Sequence, residues 1–306
     1  MSGVSINGAV VFVTGANRGI GRAIAEEAVS RGARKVYAAA RDTGGVQDLV
    51  DANPGTVVAI QLDVTNSEHV ANAAAEASDV QVLINNAGVA GYSGIIYNHD
   101  AESARREIAT NYFGPMNLSR AFAPAIVSNG NGAVAVVISI GGLSSFPIAA
   151  TYSASKAAAH SMTQGMRGEL GHQGVAVFGV YPGPIDTDMA AGLEFEKESP
   201  RNVAIRIFDN MQDGVEDITT DAFADDFVQR LKAEVHARRN HTAHIGTITC
   251  HHIKCRGRAE IHHDQIAAMP VKGPRRIDQT VRPHLCACVN TRRMGQQAIR
   301  LAHHQG

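Results

Sequence analysis

Tyr152 and Lys156 stand four residues apart at the start of a stretch with helical character. On a helix that spacing places both side chains on one face, one turn from each other. A fixed ammonium beside a phenol favours the phenolate and lowers a pKa that is otherwise about 10. Upstream, Ser139 ends an apolar run and offers a hydroxyl. Brought against the phenol, that hydroxyl completes a small proton-transfer site. The pair alone is a weak signal, because Tyr and Lys fall four apart on many surface helices. The weight rests on the elements that must position it.

Val10-Val11-Phe12-Val13 is a continuous apolar, β-branched run, as expected of a strand buried on both faces of a parallel sheet. Thr14-Gly15-Ala16-Asn17-Arg18-Gly19-Ile20-Gly21 follows, and Arg22–Arg31 then shows apolar residues at helical spacing. Strand, glycine turn and helix are the setting of a phosphate-binding loop. Gly15 permits the tight turn, Gly19 lets backbone approach a pyrophosphate, and Gly21 permits close helix packing. The spacing is Gly-x-x-x-Gly-x-Gly, not the commoner Gly-x-Gly-x-x-Gly.

Lys35–Ala40 reads as a second strand, ending in Arg41-Asp42. An acid at this strand end bonds the ribose 2′-hydroxyl of NAD, whereas an Arg accommodates the 2′-phosphate of NADP. Arg41 here and Arg18 in the glycine turn supply two guanidinium groups, which favours NADP(H). Asp42 reverses this choice if it, and not Arg41, points inward.

Val57–Leu62 and Val80–Ile84 read as the third and fourth strands, ending in Asp63-Val64 and Asn85-Asn86-Ala87-Gly88. The spacing predicts a helix over 67–77 between them. Asp100 is placed to cap a long helix over 101–127, with a bend near Asn111–Pro115 attributed to Pro115 and Pro124. Ala133–Ile138 delivers Ser139, a helix over 151–170 carries the Tyr/Lys pair, and Val175–Tyr181 leads into Pro182-Gly183-Pro184-Ile185-Asp186-Thr187. Ser199-Pro200 then opens a helix with one apolar stripe, Asp217-Ile218 suggests a short strand, and Phe223, Phe227 and Leu231 mark a last helix. The alternation predicts an α/β fold, a doubly wound parallel sheet with helices on both faces.

Placed in this order, the motifs resemble those of the short-chain dehydrogenase/reductase family over about residues 7–235: Thr14–Gly21, Asp63-Val64, Asn85-Asn86-Ala87-Gly88, Asn111, Ser139, Tyr152–Lys156 and Pro182-Gly183. The resemblance implies a Rossmann-type fold and a reversible NADPH-dependent carbonyl reductase acting on a ketone, aldehyde or keto ester. A 3-oxoacyl-carrier-protein reductase and a non-catalytic NADP-binding protein are the alternatives. It further implies Tyr152 as acid/base, Ser139 as the hydroxyl that polarises the carbonyl, and Lys156 as the ammonium that tunes Tyr152 and binds ribose. Asn111 would hold a water against Lys156. Cofactor contacts would come from Gly15, Asn17, Arg18, Gly19, Ile20, Gly21, Arg41, Asp63, Val64, Asn85, Ala87, Gly88, Tyr152, Lys156, Pro182, Gly183, Ile185 and Thr187. A homodimer or homotetramer is expected by the same resemblance, and the short loop over 189–200 leans toward small substrates.

An apolar content of 44%, a charge content of 19% and a net charge of −1 describe an ordinary globular chain. No apolar run reaches membrane-span length, and no export signal is evident at the N-terminus, so a cytoplasmic protein is expected, with neither membrane nor nucleic acid as partner. The average hides a division. Residues 1–235 hold 16 Lys/Arg against 26 Asp/Glu, whereas 236–306 hold 12 against 3, with all four Cys and ten of the fourteen His. That shift marks a boundary between a catalytic domain and an atypical basic tail. Cys250, Cys255, Cys286 and Cys288 do not form the paired ligand spacings of structural zinc sites, so no metal is expected. The tail's abundant Arg and His with little periodicity reads as a segment that is disordered or derived from a frameshifted gene.

Overall fold

A computed structural model of the chain describes residues 3–96, 100–192, 194 and 196–234. The basic tail, and with it the expected domain boundary and the Cys/His tracts, lies outside the described residues. Seven strands form one sheet: β1 (Val10–Thr14), β2 (Lys35–Ala40), β3 (Val57–Gln61), β4 (Val82–Asn85), β5 (Ala133–Val137), β6 (Ala176–Tyr181) and β7 (Asp217–Thr219). Their order is β3-β2-β1-β4-β5-β6-β7 and every pairing is parallel. The order reverses between β1 and β4, which opens a crevice above the carboxyl ends of those two strands.

The continuous apolar runs make both faces of the sheet cohesive. On one face Val11, Val13, Val36, Ala38, Val82 and Ile84 pack with Ile24 and Ala28 of helix α1 (Gly19–Ser30). Val203, Ile207 and Phe208 of the helix over Pro200–Gln212 join them there. On the other face Val10, Phe12, Leu83, Val134 and Val136 meet Leu118, Phe122 and Ile126, and the Phe12 and Phe122 rings lie 4.7 Å apart. Alternate residues of one strand thus anchor opposite layers, as the period of two requires.

The remaining helices are α2 (Gln47–Ala52), α3 (Ser67–Glu76), α4 (Ala101–Ile108), α5 (Gly114–Asn129), α6 (Ala150–Gly171) and α7 (Pro200–Gln212). A further helix runs over 222–234. The bend expected near Asn111 is real, but its cause differs. A five-residue π turn, Ala109–Phe113, separates α4 from α5. Pro115 sits in the first turn of α5, where its missing N–H is harmless, and α5 continues through Pro124. A π turn inside a helix often marks a functional position.

Candidate active site

A cavity of about 1280 Å³ opens above the crevice, lined by the ends of β1 to β6 and the loops that follow them. The glycine turn forms its first wall. Gly15 has φ +67°, a conformation open to glycine, and a Cβ on Gly21 would lie 2.2 Å from the Gly15 carbonyl oxygen. Helix α1 starts on Arg18, whose side chain makes no capping bond, whereas Asn66, Asp100 and Ser199 cap α3, α4 and α7. The first N–H groups of α1 therefore lack a side-chain partner at the place where the turn lines the cavity, an arrangement suited to phosphate.

The opposite side of the crevice is held by residues that sequence reasoning passed over. Thr14 Oγ1 accepts from the N–H groups of Asn86 and Ala87, both at 2.9 Å, and Asn86 Nδ2 donates to the Thr14 carbonyl at 2.8 Å. These bonds join the ends of β1 and β4 across the switch point. Asn85, expected in the cleft, is placed otherwise. It is the last residue of β4, and the strand alternation sends its side chain into the layer beneath, where it is buried and donates to Ser119 Oγ at 3.2 Å. Asn86 lines the cavity in its stead, with Ala87 and Gly88.

At the end of β5 the chain turns at Ser139, whose φ of +135° and ψ of 156° lie in a region otherwise held by glycine. Such a backbone costs roughly 1–3 kcal/mol and persists where its surroundings enforce it. The Ser139 hydroxyl accepts from Gly141 N–H at 3.1 Å and lies 3.4 Å from the Pro182 carbonyl. It also faces the Tyr152 phenol and opposes the rise of that phenol's pKa. Tyr152 and Lys156 do occupy one face of α6, with the ammonium 5.7 Å from the centre of the phenol ring. Lys156 is buried and donates to the Val137 carbonyl at 2.8 Å.

Burial dominates the electrostatics of this pair. It pushes the Tyr152 phenol up to about 12, against an opposing hydrogen bond from Ser139, and the charge of Glu107 adds to the rise. Burial likewise pulls the Lys156 ammonium down to about 8. Burial thus sets the starting state of the pair, on which the Lys156 charge and a bound nicotinamide would act. At the wall of this cavity Tyr152 is held as a phenol, a proton donor before it is a base.

Asn111 supports the same end of the cleft from beneath. It lies inside the π turn and is buried, and its amide is spent on structure. Oδ1 accepts from Val89 N–H and Nδ2 donates to the Val89 carbonyl, both at 2.9 Å, while a further bond at 2.9 Å reaches Ser155 Oγ. Ser155 in turn donates to the Tyr152 carbonyl at 2.7 Å. The Asn111 side chain therefore ties the loop after β4 to the first turn of α6 and is not part of the cavity lining.

Of the other expected contacts, Asn17, Arg18, Ile20, Arg41, Asp63, Val64, Pro182, Gly183, Ile185 and Thr187 all line the cavity, together with the glycines of the turn. Arg18 pairs with Asp188 at 2.9 Å across the opening, a solvent-exposed contact of small energetic value. Asp42 Oδ1 accepts from Gly44 N–H at 3.0 Å and caps the short turn before α2. The Arg41 charge instead contributes to holding Asp63 below its usual value, after the hydrogen bonds from Thr65. Gly183 is fixed by Asp221, a buried carboxylate that accepts its N–H at 2.8 Å and caps the helix over 222–234 through Ala224 N–H. Asp221 carries no periodic or motif signal that would have revealed it. Among the described residues, no helix is long and apolar enough to cross a membrane.

Fold and cleft together define a dinucleotide-binding α/β protein with a Ser-Tyr-Lys cluster at one end of the cleft. A family model described as short chain dehydrogenase matches residues 9–198, and the chain belongs to that family. A short chain dehydrogenase from Burkholderia cenocepacia, solved in complex with NADP, is 41% identical. It covers 78% of this chain and 98% of its own, with a TM-score of 0.71. Dehydrogenase/reductase SDR family member 7B of Xenopus laevis is 35% identical over 202 residues, 62% of each chain. The 3-oxoacyl-acyl-carrier-protein reductase FabG of Salmonella typhimurium is 32% identical over 64% of this chain and 81% of its own. The chain spans under two thirds of the length of the curated relatives it first matches.

Proposed function

We propose that this protein is an NADPH-dependent reductase that converts a ketone, aldehyde or keto ester to an alcohol, and runs the reverse oxidation. The observation that carries the reading is one cavity joining an uncapped, glycine-lined helix start to Ser139, Tyr152 and Lys156. The residues fit a dinucleotide: the N–H groups of Gly19, Ile20 and Gly21 would take the phosphates, Asp63 and Val64 the adenine, and Lys156 and Thr187 the nicotinamide end. When bound, that cofactor supplies the hydride.

The remaining chemistry belongs to the chain. Ser139 aims its hydroxyl at the oxygen on which negative charge develops. Tyr152 gives its proton to that oxygen as the alkoxide forms, and the phenolate left behind is stabilised by the Lys156 ammonium on the same helix face. Asn111 serves as a positioning residue, holding the Val89 loop and the first turn of α6 in register. The presence of both Tyr152 and Lys156 favours catalysis over a purely NADP-sensing role. Similarity to a 3-oxoacyl-acyl-carrier-protein reductase keeps 3-oxoacyl thioesters as a second substrate reading. Assembly as a homodimer or homotetramer fits the exposed Phe113 between α4 and α5. The test is NADPH consumption with ketones, aldehydes, keto esters and a 3-oxoacyl thioester. Turnover of at least one class supports the reading, and NADPH binding without turnover of any would leave the sensing role.

Two further outcomes follow from the site. With Asp42 engaged by Gly44, Arg41 is the group placed for a 2′-phosphate. Arg41→Ala is expected to raise KM for NADPH by roughly ten- to a hundredfold, the worth of a charge-assisted phosphate bond, with little change for NADH. Steady-state kinetics with both cofactors checks this, and an equal effect on the two would remove Arg41 from that role.

The second outcome concerns pH. Reduction uses the protonated phenol, which persists to about 12, so its kcat/KM should stay level through neutral pH. It should fall only as Lys156 loses its proton above about 8. Alcohol oxidation needs the phenolate, whose fraction rises about tenfold per pH unit below the pKa, so its kcat/KM should climb with that slope. A flat oxidation profile would contradict the assignment of Tyr152 as the base.

A further inference from the structure

We infer that the carbonyl compound taken by this cleft is uncharged and bears a bulky apolar group, and that 2-keto acids are excluded. The inference rests on the reductase reading above and narrows its substrate. The two halves of the cleft differ in kind. Around the ends of β1, β2 and β3 the lining is charged, with Arg18, Arg41, Asp42 and Asp63. Around the ends of β4 and β5 it is not: the lining segments 89–92 and 146–149 contain no charged residue and present Val89, Tyr92, Phe146 and Ile148. Met189 and Phe223 complete that side.

Exposure singles out the same wall. Single exposed apolar side chains are ordinary on a protein surface, whereas several around one opening mark a place where an apolar partner sits. Eight large apolar side chains are exposed among the described residues, and four of them, Tyr92, Ile148, Met189 and Phe223, line this cleft. Ile148 stands out at 65% exposed, directly before the helix that carries Tyr152. The Tyr92 phenol donates to the Met189 carbonyl at 2.5 Å, which joins the two sides of the mouth and fixes the apolar wall in place.

A carboxylate brought against this wall would lose water without gaining a cation. Lys156 is buried with its ammonium on the Val137 carbonyl, and Arg18 stands at the start of α1, on the other side of the cleft. Arg201, on the first turn of α7, lines the cleft outside the segments 89–92 and 146–149. Behind the wall stands a buried carboxyl. Glu107 of α4 is fully buried, its Oε1 accepts from Gly91 N–H at 2.6 Å, and its Oε2 has no hydrogen-bond partner among the described residues. It supplies no positive charge, so a carboxylate reacting at Tyr152 gains no counter-ion from this side.

Three substrates separate the contributions: ethyl benzoylformate, benzoylformate and ethyl pyruvate. The first two share the ring and differ in charge, and the first and third share the ester and differ in bulk. The expected kcat/KM for ethyl benzoylformate exceeds that for benzoylformate by at least about a hundredfold and that for ethyl pyruvate by about tenfold or more. Two variants remove the intrinsic reactivity of the compounds from the comparison. Ile148→Ala should lower the preference for the aromatic over the small ester about tenfold, and Ile148→Lys, which places an ammonium at this exposed position of the wall, should lower the preference for the ester over the acid. Benzoylformate consumed as well as its ester, or ratios unmoved in both variants, would overturn the inference and leave the reductase reading standing. Tight NADPH binding with none of the three reduced would overturn both.

Discussion

Tyr152→Phe is expected to lower the single-turnover rate of carbonyl reduction by at least about a thousandfold while changing NADPH affinity less than about threefold. General acid catalysis by a positioned group is worth roughly a hundred- to ten-thousandfold, and this cleft offers no second donor of equal placement. The substitution removes one oxygen and keeps the ring, which is half-buried in the cavity wall and lies 5.7 Å from the Lys156 ammonium. The Ser139 hydroxyl keeps its contacts with Gly141 N–H and the Pro182 carbonyl, so its unusual backbone stays anchored. Binding is read by NADPH fluorescence and turnover by rapid mixing. Wild-type rates in the variant would mean that the proton comes from elsewhere.

The second large effect is expected at the other end of the cavity. Gly21→Ala places a Cβ 2.2 Å from the Gly15 carbonyl oxygen and 2.3 Å from Asn86 Nδ2. Both contacts are far inside van der Waals distance, and neither neighbour is free to yield. Gly15 belongs to the turn itself, and Asn86 is the residue whose amide bonds Thr14 across the switch point. Relief requires α1 to move away from the sheet, which spreads the N–H groups meant for the phosphates. NADPH affinity should fall at least about a hundredfold, with the loss of several such bonds. Gly168→Ala on the exposed face of α6, where a Cβ meets nothing within 4 Å, is the control and should bind NADPH normally. Calorimetric titration of both proteins reads the difference. Unimpaired binding by Gly21→Ala would remove the glycine turn from the phosphate site.

These two sites were legible in the sequence for a shared reason. The glycine turn and the Tyr/Lys pair are local in sequence, and each lies beside a continuous β-branched run, so the periodicity that reveals the strand also places the residue at its end. Long apolar strands such as Val10–Thr14 and Ala133–Val137 are readable for the same reason. Helix α2 went unread because Gln47–Ala52 is short, with Leu49 as its one buried residue. The bend at Asn111 was visible, but prolines took the credit for a π turn that no propensity marks.

Asn85 and Asn86 show the limit of a motif. Neighbouring residues at a strand end point to opposite faces, and one residue of register decided that Asn86 lines the cleft while Asn85 supports α5. Glu107 and Asp221 were invisible for a different reason. Their importance comes from burial and from partners 16 and 38 residues away in sequence, Gly91 and Gly183, so only the assembled fold discloses them. The rise of the Tyr152 pKa belongs to the same class, since it comes chiefly from desolvation by the folded wall.

The central claim is that hydride and proton are delivered to one carbonyl in this cleft, the proton by Tyr152. The most direct measurement is a single turnover of ethyl benzoylformate with NADPH deuterated at the transferring position, analysed by mass spectrometry of the alcohol. The wild-type protein should place one deuterium on the carbinol carbon, and Tyr152→Phe with NADPH bound should place essentially none on the same timescale. Deuterium transfer at equal rates in both proteins, or NADPH binding by the wild type with no transfer to any carbonyl compound, would contradict the account.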